Sequence, residues 1–320
     1  MFKLTCKVSL EGPNGERIRL KIRRGSGFWI NECFYYNYRW DENCISLDVD
    51  SFVYDGDLSD LDHVYRRAIS NFERSNKLLS FLFGIKLIIE YQNIYRRNIK
   101  KVNNIQETPL ISSENINRIH CFMGALNNIV KSENKNQKEK EISLRKKYYA
   151  AIDYFNRSLD ALDIELYEDA LLNQYRGLEI LGREGYKAIE SQIITNFKNI
   201  FSDFLRKTVD EEYGEHHRQL FDEFKPLISK KLMTDTRKIL KELKELKGFN
   251  TEELANAKKI CDVRNSLSHG NTEVNEIEFD LLASGQLILR KMIALMLLKK
   301  NYFKAYPFAD IKYYNVNCGN

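Results

Sequence analysis

The sequence predicts an α+β fold that is mostly helical, with a small N-terminal antiparallel sheet followed by helices that form a C-terminal bundle. Over residues 1–55 apolar residues alternate with polar ones, which is the period of a half-exposed strand. From residue 59 onward apolar residues recur at three- and four-residue spacing, which is the period of an amphipathic helix. The 320 residues include only 4 prolines and 15 glycines, which favours a helix-rich protein over a linker-rich one.

The predicted sheet lies within the first 55 residues. Apolar side chains alternate over residues 4–10, 18–22 and 45–49, and a cluster of turn residues at 12–15 separates the first two segments. The polar face of the middle segment carries a basic row made of Arg17, Arg19, Lys21 and Arg23. This row is a candidate for binding along a phosphate backbone. The alternative is a solvated strand face that also discourages edge pairing.

A polar run in the middle of the chain marks the predicted domain boundary. Before it, helical spacing predicts two helical stretches at 59–101 and 113–131. The run itself has mixed charges and no apolar stripe, as linkers often do. We therefore predict an N-terminal strand-plus-helix domain over residues 1–131, a linker over 132–142 and a helical bundle over 143–320.

The predicted bundle begins with two helices that form an antiparallel pair. Their apolar residues keep helical spacing over 144–162 and 171–181. Further helical patterns cover 189–210 and 217–246, and a strongly apolar helix covers 276–300. This last helix contains charged residues within its apolar run, so we expect a buried helix and no membrane span.

One helix between these carries a cation on its apolar face. Asn250 and Glu253 have the spacing of a capping box, and His269 followed by Gly270 provides a basic last turn and a C-cap glycine. Arg264 falls at the centre of the apolar stripe of this helix. Burying a cation among apolar side chains is costly unless it has a partner or a function. Arg264 is therefore the first candidate for a functional residue.

Asn265 and His269 accompany Arg264 on the same helix. They lie one turn apart and are therefore neighbours, and a turn of the chain at Gly270 would bring the imidazole toward Arg264. An imidazole titrates near neutrality and can transfer protons, while a guanidinium supplies a fixed positive charge for a reacting phosphate. Asn265 is a candidate for orienting the imidazole. The alternative is that His269 caps the helix electrostatically and Arg264 pairs with a buried acid.

Two acids are candidate partners of Arg264. Glu179 lies on the flank of an apolar stripe in an earlier helix of the bundle, and it is our first choice. Asp262, in the same helix as Arg264, is the second. Arg176 is an alternative local partner for Glu179.

The Arg264-Asn265-x-x-x-His269 motif resembles the HEPN superfamily, because its helix follows a helical pair and precedes a strongly apolar helix. Its local form, residues 262–270, is most similar to the Apea-like branch. The resemblance extends in architecture to residues 143–300. It implies a metal-independent endoribonuclease that cleaves RNA by attack of a 2′-hydroxyl on the adjacent phosphate, leaving a 2′,3′-cyclic phosphate. Arg264, Asn265 and His269 would be its catalytic residues.

The resemblance also implies partners and a biological role. Members of this superfamily are typically homodimers in which the two motifs face each other. A role as a toxin or antiviral defence effector follows, with RNA as the substrate and an antitoxin or a phage-derived trigger as candidate partners. The alternative function is a non-catalytic HEPN-type module that binds RNA or dimerises.

Composition and cysteine spacing narrow the function classes. The chain has 50 Lys+Arg and 45 Asp+Glu, for a net charge of +5, which permits an anionic partner but is below that of a dedicated nucleic-acid coat. The 6 cysteines form no CxxC pair and therefore predict reduced thiols, not a disulfide or zinc framework. The first residues lack the apolar core of a secretory signal. We therefore expect a cytoplasmic protein.

A second group of residues, in a polar segment, contains side chains that can bind metals, but its spacing matches no specific metal-binding motif. Glu212 and His216, with the neighbouring Glu215 and His217, have helical spacing but form no HExxH motif. Because the segment is highly polar, a solvated surface cluster is favoured. We therefore predict no metal site and no cofactor.

Overall fold

The computed structural model shows an α+β protein that is mostly helical, which confirms the predicted fold class. It describes residues 2–10, 17–18, 28–40, 45–54, 60–84, 86–89, 100–101, 114–208, 219, 223, 234–269, 277–298 and 313–314. The chain forms two compact units, one of Met1–Asn173 with Ile293–Asn320 and the other of Gln174–Met292. The candidate site belongs to the second unit.

All strand pairs in the first unit are antiparallel. The strands are β1 (Phe2–Leu10), β2 (Arg17–Ile18), β3 (Phe28–Ile30), β4 (Cys33–Trp40), β5 (Ile45–Val53), β6 (Leu87–Ile89), β7 (Lys100–Lys101) and β8 (Tyr313–Tyr314). The main sheet has the order β3-β4-β5-β1-β6, with β7 also paired to β1, while β2 pairs with β8. The register of β1 on β5 runs from Phe2 opposite Val53 to Leu10 opposite Ile45. The predicted strands at 4–10 and 45–49 are thus confirmed.

The structure describes seven α-helices in the ranges given above. They are α1 (Leu61–Phe83), α2 (Glu114–Asn127), α3 (Lys135–Asp163), α4 (Tyr167–Thr208), α5 (Asp235–Glu245), α6 (Thr251–Ser268) and α7 (Phe279–Leu298). Asn134 caps α3 by accepting from the backbone N–H groups of Asn136 and Gln137. Most of the predicted linker is therefore helical, and the position of the domain boundary stays a prediction.

Three predicted helical extents need correction. Of the pattern predicted over 217–246, α5 covers only Asp235–Glu245, because the backbone of its N-cap, Thr234, is extended. The stretch 59–101 was predicted to be helical throughout, but α1 ends at Gly84, whose φ of 70° is left-handed and whose N–H bonds to carbonyls of the last turn. Leu87–Ile89 then pairs with β1 as a strand. The patterns at 171–181 and 189–210 belong to one continuous helix, α4, instead of two.

Polar side chains join α1 to the sheet in the first unit. The Ser51 hydroxyl donates to the Ala68 carbonyl at 2.7 Å, and the Ser75 hydroxyl donates to the Ile30 carbonyl at 3.0 Å. The buried Tyr35 hydroxyl donates to Asn76 Oδ1 at 3.0 Å. These bonds satisfy buried polar groups where a helix lies on a sheet, so they specify its position as well as stabilise it.

Close helix approach shapes the second unit. An added Cβ at Gly182 of α4 would lie 2.9 Å from the Cα of Ile239 in α5, so only glycine permits this spacing. At the start of α6, Asn250 and Glu253 form the predicted capping box, each side chain bonding the other residue's backbone N–H. Lys291 of α7 donates to both carboxylate oxygens of Glu253 at 2.8 and 2.9 Å. The start of α6 is thereby held to α7.

By length and composition alone, α7 passes the test for a membrane-spanning helix, with a mean hydropathy of 1.7. However, 61% of its apolar window is buried inside the protein, as in a core helix. Arg290, near the middle of α7, is only 5% exposed. These observations agree with the predicted buried helix, and the cytoplasmic location stays a prediction.

Candidate functional site

Arg264 lies half-buried near the end of α6, on the side of the helix that also carries the buried residues Ile260 and Cys261. Its guanidinium carbon is 4.6 Å from the centroid of the Tyr175 ring of α4, which is a cation–π distance. Its Nη1 donates to Asn265 Oδ1 at 3.1 Å. An aromatic face and a neutral amide therefore support this cation.

Neither proposed acid is bonded to Arg264 in the part of the chain that the structure describes. Glu179 of α4 accepts from Arg183 Nη2 at 2.6 Å. Asp262 is exposed. The expected ion pair between Arg264 and Glu179 is thus replaced by one between Glu179 and Arg183, and Arg176 is not the local partner of Glu179.

Arg183 binds a second acid at the same time. Its Nε and Nη2 donate to the two carboxylate oxygens of Asp235 at 2.9 and 2.8 Å, which is the bidentate geometry of strong arginine–carboxylate pairs. Asp235 is the first residue of α5. One guanidinium therefore holds a carboxylate of α4 and another of α5.

The pKa values of the two acids are shifted in opposite directions. Burial raises the pKa of Glu179, and the Arg183 charge only partly offsets this effect. The hydrogen bond from Arg183 lowers the pKa of Asp235. A proton that enters this pair therefore resides first on Glu179.

Burial also keeps two nearby groups neutral. It raises the pKa of the Tyr175 hydroxyl to about 12 and that of the Cys261 thiol to about 12. Cys261 therefore remains a thiol at neutral pH and is a poor nucleophile. Tyr175, only 3% exposed, is a support for Arg264 and cannot stack on a base.

His269 ends α6 and is exposed to solvent. Its backbone N–H donates to the carbonyl of Asn265 at 3.2 Å, so the last turn remains closed up to the histidine. Asn265 contacts Arg264 through its side chain, and its proposed role in orienting the imidazole stays a prediction. Gly270, the expected C-cap glycine, lies outside the described residues.

Several predicted residues cannot be placed around this site. Arg17 lies in β2, and the other members of the basic row, Arg19, Lys21 and Arg23, lie outside the described residues. The possible metal ligands Glu212, Glu215, His216 and His217 also lie outside them. Within the described ranges, no group of three or more histidine, cysteine, aspartate or glutamate residues is arranged to hold a metal ion.

Sequence patterns did not identify Tyr175, Arg183 or Asp235 as residues of the site. Tyr175 was assigned only to an apolar stripe, and Asp235 lies 52 positions from Arg183. The sequence did contain one indication of this cluster. Tyr175, Glu179 and Arg183 follow one another at four-residue spacing and therefore share one face of α4.

Comparison with known proteins identifies the region that contains this site. Residues 164–305, somewhat less than half of the chain, match the model of the family described as Apea-like HEPN. The chain matches no curated protein and no solved structure. The region that carries Tyr175, Arg264 and His269 therefore matches the Apea-like branch of the HEPN superfamily, which confirms the resemblance of its motif.

Proposed function

We propose that this protein is a metal-independent endoribonuclease that acts as a toxin or antiphage defence effector. The family match supports a ribonuclease-like or RNA-binding function. The observation that supports endoribonuclease activity is the environment of Arg264. This half-buried cation rests on the Tyr175 ring, and no carboxylate of the described residues forms an ion pair with it. That no described acid neutralises its charge supports a role for Arg264 in binding an anionic ligand.

Arg264 and His269 suit complementary parts of phosphodiester cleavage. The 2′-oxygen of the substrate forms a new bond to phosphorus while the bond from phosphorus to the 5′-oxygen breaks. The 2′-hydroxyl loses a proton and the departing 5′-oxygen gains one, which yields a 2′,3′-cyclic phosphate and a 5′-hydroxyl. An exposed imidazole can perform one of these proton transfers. A fixed guanidinium stabilises the charge that develops on the phosphate oxygens.

The first prediction is that the purified protein cleaves RNA in the presence of EDTA and leaves 2′,3′-cyclic phosphate ends. His269→Ala and Arg264→Ala should each reduce cleavage by about 100-fold or more, because each removes a group that acts in the transition state. Cleavage of total RNA is followed by electrophoresis, and the end chemistry by phosphatase treatment and mass spectrometry. His63→Ala is the matched control, since His63 is also exposed but lies on α1 in the other unit.

Two outcomes would contradict this mechanism. Strict dependence on a divalent metal would replace the substrate-derived nucleophile with metal-assisted chemistry. RNA binding without cleavage by the wild type would favour the alternative function, a non-catalytic HEPN-type module.

A further inference from the structure

Arg183 occupies an unusual position beside the candidate site. Its Nη2 nitrogen donates to Glu179 at 2.6 Å and to Asp235 at 2.8 Å, so one nitrogen serves two carboxylates. The side chain of Glu179 is 18% exposed and that of Asp235 is 31% exposed. Both acids are therefore partly desolvated, where charge interactions are stronger than in water.

Glu179 is also close enough to influence Arg264. It follows Tyr175 by one helical turn, and the Tyr175 ring is in direct contact with the Arg264 guanidinium. Burial raises the pKa of Glu179, and the nearby charge of Arg264, like that of Arg183, acts against this rise. If Glu179 were released, it would be well placed to neutralise Arg264.

We propose that Arg183 is a positioning residue, which is itself anchored by Asp235, holds the Glu179 carboxylate away from Arg264 and thereby keeps the Arg264 charge available for an RNA phosphate. This inference rests on the proposed ribonuclease function. It assigns Arg183 no contact with the RNA. Its role is to engage Glu179, the acid that would otherwise compete with the substrate for Arg264.

The surroundings of Glu179 determine how the inference can be tested. Helices α4, α5 and α6 all contribute groups that interact with it. The groups that contact Glu179 or interact with its charge are Tyr175 and Arg183 of α4, Asp235 of α5, and Cys261 and Arg264 of α6. Tyr175 and Cys261 are neutral at pH 7, because burial raises the pKa of each to about 12. The charge balance at Glu179 is therefore set by the two arginines and Asp235.

The decisive experiment combines Arg183→Gln with Glu179→Gln. Arg183→Gln removes the charge that holds Glu179 while keeping a polar side chain. We expect it to weaken binding of an uncleavable 2′-deoxy-substituted RNA and to reduce kcat/KM for RNA cleavage, each by about tenfold or more, because Glu179 then neutralises Arg264. Adding Glu179→Gln should restore both quantities. If Arg183 had a purely structural role, adding Glu179→Gln would not restore binding or cleavage, because it removes a second member of the same network.

A pH series adds an independent readout. In the Arg183→Gln protein, lowering the pH should protonate Glu179 and relieve the defect, because a neutral carboxylic acid no longer neutralises Arg264. The double variant should lack this relief. The kcat/KM ratio of the two proteins therefore isolates the effect of Glu179 from pH effects that the two proteins share.

Controls separate this inference from folding defects. Arg237→Gln, on the exposed side of α5, is the matched control and should leave binding and cleavage unchanged. Thermal melts establish that each variant is folded. If Arg183→Gln does not fold, Arg183→Met, which also removes the charge, replaces it, and adding Glu179→Gln to that protein should then raise both quantities.

The possible failures are distinguishable. The inference is overturned if folded Arg183→Gln binds and cleaves RNA like the wild type, or if Glu179→Gln brings no recovery in the arginine variant used. If the wild type binds RNA without cleaving it, the proposed function fails, and the binding measurements still decide the role of Arg183. If the wild type neither binds nor cleaves RNA, both proposals fail.

Discussion

At the scale of single residues, an aromatic ring replaces the expected acid beside Arg264. The cation on the apolar face of α6 was predicted to need a partner, and Tyr175 meets that need at 4.6 Å. Such a contact contributes about 1 kcal/mol at a partly buried site, and it does not cancel the charge as a carboxylate would. The difference matters for the proposed ribonuclease function, since binding of a phosphate group requires a cation that is not already neutralised.

Glu242 provides a pH prediction at this scale. It is 9% exposed on α5, and burial raises its pKa, with a further contribution from Glu245. Because the folded-state pKa is raised, ionisation of Glu242 destabilises the fold. Below the unfolded-state pKa, near 4.5, Glu242 is protonated in both states and does not lower the free energy of unfolding. As the pH rises toward and through the higher folded-state pKa, the free energy of unfolding decreases.

Glu242→Gln should therefore raise the free energy of unfolding at about pH 8 more than at about pH 4. Urea unfolding of wild type and variant at several pH values measures the difference. Glu252→Gln, at an exposed position of α6, controls for the loss of one negative charge. An equal effect of Glu242→Gln at all pH values would show that ionisation of Glu242 does not oppose folding.

At the scale of the elements, glycines decide where helices end and how closely they approach. Gly84 ends α1 in a left-handed conformation, so the apolar residues after it join the sheet. Gly182 instead lies within α4, where its missing side chain admits the backbone of α5. Since α5 begins with Asp235, this approach also positions one of the two acids that Arg183 binds.

A pair of glycine substitutions tests this account of helix approach. Gly182→Ala should lower the free energy of unfolding by about 1–3 kcal/mol, because the new methyl group would contact the Ile239 backbone at 2.9 Å. Gly124→Ala in α2 is the matched control, since its Cβ would have no atom within 4 Å. Alanine favours the helix there, so stability should rise by about 0.5–1 kcal/mol. Denaturant unfolding measures both changes, and the same sign for both would refute the close-contact explanation.

At the scale of the whole molecule, the main expectation is a homodimer with a composite site. The HEPN resemblance implies that two copies of the motif face each other. The exposed position of His269 at the end of α6 leaves its imidazole accessible to a second protomer or to substrate. An accessible residue of this kind is compatible with a shared site, and the assembly stays a prediction.

We expect light scattering to show a dimer, and we expect a mixture of Arg264→Ala and His269→Ala proteins to recover cleavage that neither shows alone. Recovery should occur because a mixed dimer contains one intact arginine and one intact histidine, on opposite protomers. Each variant mixed with itself is the control. A monomer that still cleaves RNA across a dilution series would exclude the composite site, and one Arg264 with one His269 must then suffice.

The fold class and the start of the motif helix could be predicted because their causes are local. Alternating residues along β1 and β5 form strands in the expected positions, and the capping box of Asn250 and Glu253 is a contact between near neighbours. The Arg264-Asn265-x-x-x-His269 spacing is likewise contained within one helix end. For these features the sequence alone was sufficient, since periodicity and short-range hydrogen bonds depend on residues a few positions apart.

Only the tertiary structure decided which groups surround Arg264. Tyr175 and Arg264 come from different helices, and Arg183 reaches Asp235 across 52 positions of sequence. The sequence offered Glu179 as a partner but could not show that Arg183 already binds it. Pairing among charged groups depends on distance and burial, which are set by how α4, α5 and α6 pack. The sequence therefore determined the chemical groups of the candidate site, and the packing of helices determined which of them remain free to act.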